Sequence, residues 1–65
     1  MNNYQLKIVG KGRYKLVKNI ADKTLSFYYD DRVVETKPMI QKMSYYTHKR
    51  LVYTLNKFVN SIRSI

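Results

Sequence analysis

Apolar and polar residues alternate along the first part of the chain, and a period of two residues is typical of β-strands with one buried face. In YQLKIV the alternation predicts that Tyr4, Leu6 and Ile8 face the core. Val9 then falls on the opposite face. The following GKG, residues 10–12, supplies the glycines that a tight hairpin turn needs. We therefore predict a first strand that ends in a hairpin.

Two further segments continue the strand pattern. RYKLVK places Leu16 inward, and TLSFYYD places Leu25 and Phe27 inward. Asp30 and Asp31 are acceptable turn residues, and the RVVET that follows them predicts a short fourth or edge strand. The first half of the chain is therefore expected to form an antiparallel β-meander of three to four strands.

From Pro38 onward the period changes from two residues to 3.6, which indicates an α-helix. Thr36 is a candidate N-cap, and Pro38 stands near the first helical position, where its missing N–H costs nothing. The apolar stripe that should face the sheet has Met43, Val52 and Val59 at its margins and comprises Ile40, Ser44, Thr47, Leu51, Leu55, Phe58, Ile62 and Ile65.

A single helix over residues 38–63 would be about 39 Å long, whereas a compact domain of this size has a radius of gyration of about 11 Å. We expect the helix to break near residues 44–48; alternatively, its projecting end packs against a second copy of the chain. The sequence thus predicts one small basic α+β domain over residues 1–65. Its architecture is a three- to four-stranded antiparallel β-meander followed by a C-terminal α-helix.

Charge is strongly unbalanced along the chain. Thirteen Lys and Arg stand against four Asp and Glu, for a formal net charge of +9. Residues 1–21 carry +5 and residues 36–65 carry +6, both without an acid, whereas residues 22–35 hold all four acids and sum to −2. Such a surplus suits a polyanionic partner such as nucleic acid, or an acidic protein.

The side of the predicted helix opposite the apolar stripe mixes cations, tyrosines and amides. Cations neutralise phosphates, amides can bond to base edges, and tyrosine rings can stack on bases, so this mixture favours a nucleic-acid surface. The same tyrosines could instead cover the flank of a small domain or complete a dimer contact. The candidate binding residues on this side are Lys42, Tyr45, Tyr46, Lys49, Arg50, Tyr53 and Lys57.

The hairpin tip GKGRYK is a second candidate for anion binding. It places Lys11, Arg13 and Lys15 around a glycine turn whose N–H groups can approach an anion. The alternative is a tight turn whose charges discourage edge pairing. If functional, the tip would hold a phosphate backbone beside the helix.

The sequence offers no catalytic constellation. Cysteine is absent, and the single histidine, His48, stands beside Lys49 and Arg50 without a nearby acid to orient it. Asp31 and Glu35 lie too close together, in too small a chain, for a metal-dependent nuclease site. We therefore expect no enzyme activity, no cofactor and no metal.

The N-terminal segment bears on location, and the residue composition bears on origin. The start MNNYQLKIVG lacks a charged leader and a long apolar stretch, which predicts a cytoplasmic protein. Phe, Tyr, Met, Ile, Asn and Lys contribute 31 of 65 residues, a bias typical of AT-rich genes such as those of many phages and low-GC bacteria. Attachment to a membrane surface is disfavoured because the sheet needs the apolar stripe.

The predicted element order resembles that of the arm-binding domains of phage and transposon integrases, and that of double-stranded-RNA-binding domains without their first helix. KPMIQKM does not match the glycine and lysine signature of the RNA-binding family. The resemblance is one of element order, and no residue role is carried over from it.

Two functions follow from these patterns. The first is a non-enzymatic nucleic-acid-binding protein, with duplex DNA favoured over RNA. The second is a small phage-like effector or inhibitor that binds an acidic host protein through the same face, since tyrosine and arginine are also frequent hot spots of protein interfaces.

Overall fold

Four antiparallel strands lie side by side in the order in which they follow along the chain. The computed structural model describes residues 6–64, and Tyr4 lies outside this range. The strands are β1 (Leu6–Lys11), β2 (Tyr14–Asn19), β3 (Thr24–Tyr29) and β4 (Arg32–Pro38), followed by a 3₁₀ turn (Met43–Tyr45) and the helix α1 (His48–Arg63). The predicted α+β architecture, a meander with a C-terminal helix packed on it, is confirmed.

The hairpin turns are set by residues with positive φ angles. Gly12, with φ 61°, opens the two-residue turn between β1 and β2. Asp30 and Asp31 both have positive φ, 51° and 64°, and form the two-residue turn between β3 and β4. Two consecutive left-handed residues match the twist of a hairpin, and aspartate tolerates this conformation better than most non-glycine residues.

The orientation predicted for β1 is wrong. Val9 is buried, whereas Leu6 and Ile8 are exposed. The turn decides this, because a two-residue loop pairs Lys11 with Tyr14 and so places Val9 opposite the fully buried Leu16. Paired residues share a face, and a shift of one residue in register would turn every side chain of the strand over.

The helix also begins later than predicted. Thr36 and Pro38 belong to β4, so neither caps a helix. The N-cap is Thr47, whose side chain accepts a hydrogen bond from the backbone N–H of Arg50 at 3.2 Å. We expected a break near residues 44–48; instead, no α-helix precedes residue 48 in the described chain, and residues 39–47 cross from β4 to α1 in irregular and 3₁₀ conformation.

Leu51, Leu55 and Val59 are the buried residues of α1. The predicted stripe was right about the two leucines, but it placed Val59 at its margin, and Ile40 is 83% exposed because it precedes the helix. Ile65 lies outside the described residues. The core cluster consists of Val9, Leu16, Leu25, Phe27, Tyr46, Leu51, Leu55 and Val59.

The helix covers only one face of the sheet, and it lies closest to β1 and β2. The other face, which we call the open sheet face, presents the apolar side chains Leu6, Ile8, Val17, Tyr28 and Val33. A register shift at Phe27 and Tyr28 inserts one extra residue, Val34, into β4. Val34 lines the groove between β4 and α1. Neighbouring valines of this edge strand thus lie on opposite sides.

Candidate functional site

The outward side of α1 presents three of the predicted binding residues. Lys49, Tyr53 and Lys57 are all exposed. They are four residues apart, so the helical period places them in one row along the axis. The structure therefore brings these three candidates together.

Arg50 lies between two tyrosine rings beside this row. Its guanidinium carbon is 4.6 Å from the ring centroid of Tyr45 and 5.2 Å from that of Tyr53. The ammonium of Lys57 is 5.7 Å from the same Tyr53 centroid. We call Tyr45, Arg50 and Tyr53 the Tyr–Arg cluster. Cations over aromatic faces are held electrostatically, so the rings fix the position of the guanidinium.

The local fold explains why these three residues meet. Arg50 and Tyr53 are one helical turn apart, which makes them neighbours on the surface of α1. Tyr45 is in the 3₁₀ turn, and the cap at Thr47 turns the chain so that the Tyr45 ring lies against the first turn of α1. Together with Thr47 and Lys49, the cluster lines a cleft of about 470 Å³. Arg50 and Lys49 supply the cations of this cleft.

The hairpin tip is connected to α1 as well. The ammonium of Lys11 donates a hydrogen bond to the side-chain oxygen of Asn56 at 2.9 Å. Lys11, Arg13 and Arg63 line a pocket of about 250 Å³ between the tip and the end of the helix. The hairpin tip therefore forms a second cationic region next to α1.

Arg13 itself is engaged by an acid. Its guanidinium lies 3.4 Å from a carboxylate oxygen of Asp30. A hydrogen bond to Tyr29 and then the charge of Asp30 raise the pKa of Arg13 above its ordinary value. Arg13 is positively charged with or without this shift. Because the carboxylate of Asp30 offsets its charge, the pair reduces the net charge that the hairpin tip presents.

Lys15 lies apart from the other candidates. It is on the open sheet face, where its ammonium is 2.6 Å from a carboxylate oxygen of Asp31 and 5.9 Å from the ring centroid of Tyr28. The hydrogen bond from Lys15, followed by its positive charge, lowers the pKa of Asp31. The structure does not join Lys15 to the surface of α1.

The prediction that Tyr46 faces outward is wrong. Tyr46 is only 5% exposed, and its hydroxyl accepts hydrogen bonds from the backbone N–H groups of Ile40 at 2.9 Å and Gln41 at 3.1 Å. It precedes α1, so a helical wheel begun at Pro38 misplaces it. Lys42 also precedes the helix; it is exposed, but it does not belong to the row on α1.

Lys18 has a structural role that the sequence analysis missed. It is 8% exposed, and its ammonium donates to the backbone oxygens of Tyr46 at 2.8 Å and Met43 at 3.3 Å. Burial, and to a smaller extent the charge of Lys7, lowers the pKa of Lys18. The available signal was its inward position in the alternation of β2. Lys18 fastens the 3₁₀ turn to the sheet.

The helix α1 itself contains no acidic residue. Within residues 6–64 the ion pairs are Arg13 with Asp30, Lys15 with Asp31 and Lys37 with Glu35. None involves a cation of α1. The same range contains no group of three His, Cys, Asp or Glu residues that could hold a metal ion. Among the described residues, no carboxylate therefore forms an ion pair with Lys49, Arg50 or Lys57, although Glu35 of β4 lines the groove that Lys57 also lines.

No protein-family model, no curated protein and no solved structure matches this chain. Across residues 6–64, no helix has both the length and the apolar character that crossing a membrane would take. What the helix surface can bind is therefore inferred from its own chemistry.

Proposed function

We propose that this protein binds nucleic acid, with duplex DNA as the favoured target, and that it does so without catalysing a reaction. The observation that carries the proposal is the Tyr–Arg cluster beside Lys49 and Lys57 on a helix that contains no acidic residue. Such a positively charged surface attracts polyanions.

The geometry suits a phosphate backbone. Lys49 and Lys57 are about 12 Å apart along the axis, at a rise of about 1.5 Å per residue, so each can contact a different phosphate. The guanidinium of Arg50 offers a planar fork of donors that matches phosphate oxygens, and its stacking between Tyr45 and Tyr53 orders it before binding. Less side-chain freedom is then lost when the complex forms.

The shape of α1 supports a duplex. An α-helix with its side chains is about 10–12 Å wide, close to the width of about 12 Å of the major groove. The pocket formed by Lys11, Arg13 and Arg63 lies at the end of the helix and supplies a further cationic contact. A duplex backbone could therefore contact α1 and the hairpin tip together.

The test is a salt titration of binding to a fluorescent duplex. For five to eight phosphate contacts, the logarithm of the association constant should fall with the logarithm of the salt concentration with a slope of about −4 to −7. A slope near zero would overturn the proposal.

A matched pair of charge variants locates the surface. Lys49→Glu with Lys57→Glu, and separately Lys23→Glu with Arg32→Glu, each reverse two charges and so lower the formal net charge from +9 to +5. All four positions are exposed, so both variants should fold. We expect the helix variant to lose binding and the control to keep most of it. Equal losses would contradict a role for α1.

An acidic protein is the second candidate partner, because half-exposed tyrosines around an arginine and a cleft are frequent hot spots of protein interfaces. Pull-down from nuclease-treated lysate separates the two. One stoichiometric acidic partner that survives the nuclease would favour this reading, and loss of all bound material would favour nucleic acid.

A further inference from the structure

Charge is distributed unequally between the two sides of the sheet. Residues that pair across neighbouring strands share a face, so the strand registers assign each position to one side. The side towards α1 holds six charged positions: Lys7, Lys11, Lys18, Arg32, Glu35 and Lys37. The open sheet face has twelve positions: Leu6, Ile8, Gly10, Lys15, Val17, Asn19, Thr24, Ser26, Tyr28, Val33, Thr36 and Pro38. Only Lys15 among these is charged.

The charge of Lys15 is itself compensated. Its ammonium is paired with Asp31 in the adjoining turn at 2.6 Å. The open sheet face is thus close to neutral in a chain whose formal net charge is +9. A polyanion has nothing to bind there, and a second copy can approach this side without its cations meeting those of the first.

The same face exposes apolar side chains that a monomer would leave in water. Ile8 and Val33 are each 56% exposed. Leu6, Val17 and Tyr28 lie on the same face of the sheet. A hollow of about 400 Å³ on this face is lined by Leu6, Ile8, Val17 and Tyr28 together with the polar Lys15, Asn19 and Ser26. In a dimer with a two-fold axis, the apolar side chains of each copy can fill the hollow of the other.

We propose that the protein forms a two-fold homodimer through the open sheet face, with the two sheets packed face to face. Sheets pack in this way at a distance of about 10 Å. The two helices then lie on the outer sides of the dimer, with Lys49 and Lys57 of both copies accessible. This dimer differs from one formed through the tyrosines of the helix, and it does not depend on the proposed nucleic-acid binding.

The size of the face sets the expected strength. Four strands and six residues along each give roughly 300–400 Å² of flat area per copy. Stable interfaces typically bury about 800 Å² of accessible surface on each partner, so this face is below the typical size. We therefore expect a dimer that dissociates at micromolar concentrations, with monomer and dimer in exchange.

Val33 and Val34 provide a matched pair for the test. They are adjacent in β4 and similarly exposed, at 56% and 51%, but Val33 is on the open sheet face and Val34 lines the groove beside α1. Val33→Lys places an ammonium in the apolar interface, where the nearby acid Asp31 is already paired with Lys15, and this should weaken dimerisation by about tenfold or more. Val34→Lys adds the same charge outside the interface.

Sedimentation velocity of the full chain, from about 5 to about 500 µM at physiological salt, measures the equilibrium. We expect the wild type and Val34→Lys to shift from monomer to dimer with concentration and Val33→Lys to remain monomeric. Circular dichroism should show all three folded at low concentration; Ile8→Lys replaces Val33→Lys if that variant unfolds. A wild type that stays monomeric over the whole range, or a dimer equally retained by the open-face variant, overturns the proposal.

Discussion

The ammonium of Lys18, in β2, donates a hydrogen bond of 2.8 Å to the backbone oxygen of Tyr46, which lies just before α1. A second bond of 3.3 Å reaches the oxygen of Met43. Residues 39–47 have no regular ladder of backbone hydrogen bonds; within the segment, the backbone bonds are made by the N–H groups of residues 45–47. One lysine thus joins the sheet to the connection that positions the Tyr–Arg cluster.

Lys18→Met should lower the free energy of unfolding by about 1–3 kcal/mol, because one buried and one partly buried carbonyl oxygen lose their donor. Methionine retains most of the apolar length of the side chain, so the loss of packing is small. Urea denaturation monitored by circular dichroism measures the change. Lys49→Met, on the exposed side of α1, is the control and should stay within about 0.5 kcal/mol of the wild type. Equal effects of the two substitutions would contradict the role assigned to Lys18.

Two threonines test where the helix begins. Thr47→Ala removes the side-chain oxygen that accepts from the N–H of Arg50, and loss of such a cap costs about 1 kcal/mol. Thr36→Ala affects an exposed residue of β4, whose hydroxyl contacts that of Ser26 at 3.3 Å, and should cost less than about 0.5 kcal/mol. Thermal or urea unfolding gives both values. The reverse order would mean that the helix begins near Pro38.

Lys15 and Asp31 give a prediction for pH. The hydrogen bond from Lys15, and then its charge, hold the pKa of Asp31 below its ordinary value of 3.8. Because the pKa is lower in the folded than in the unfolded chain, the pair stabilises the fold above about pH 3.8. This contribution is lost as the pH falls through the folded-state pKa.

Lys15→Ala should return the pKa of Asp31 towards 3.8, as measured by NMR titration of the Asp31 carboxyl carbon. Lys7→Ala removes a lysine from the other side of the sheet and should leave that titration unchanged. An Asp31 pKa that does not respond to Lys15→Ala would show that the two side chains are not paired in solution.

Arg50→Lys separates the stacking of the arginine from its charge. The substitution keeps the positive charge but loses the planar group held between Tyr45 and Tyr53, so DNA affinity should fall about two- to fivefold. The slope of affinity against salt should not change, because the number of cations is the same. Lys49→Arg is the control and should bind at least as well as the wild type. An unchanged affinity of Arg50→Lys would remove the cluster from the binding surface.

The alternation of β2 and β3 was sufficient to predict both strands and their inward residues Leu16 and Phe27, since two of the three outward residues in each strand are polar. β1 was different because apolar residues occupy both of its faces. Its orientation is decided by the two-residue turn at Gly12, which pairs Val9 with Leu16. A period of two residues cannot distinguish the faces when both are apolar.

The helix surface was predictable in part for a similar reason. Lys49, Tyr53 and Lys57 are spaced by the helical period, so a wheel places them together wherever the helix begins. The approach of Tyr45 to Arg50 was not predictable, because it depends on the 3₁₀ turn and the Thr47 cap. Tyr46 was misplaced because the helical wheel was begun too early, at Pro38. It is buried, whereas the adjacent Tyr45 is exposed.

The placement of the four acids has a consequence for how the molecule meets a partner. Asp22, Asp30 and Asp31 are in the turns on either side of β3, and Glu35 is in β4, whereas α1 has none. Separation of this kind gives the protein an electric dipole moment in addition to its net charge. In the field of a long polyanion, the molecule experiences a torque that turns the helix side forward during diffusion. Productive orientation can then precede contact, and added salt should slow the encounter as well as weaken the complex.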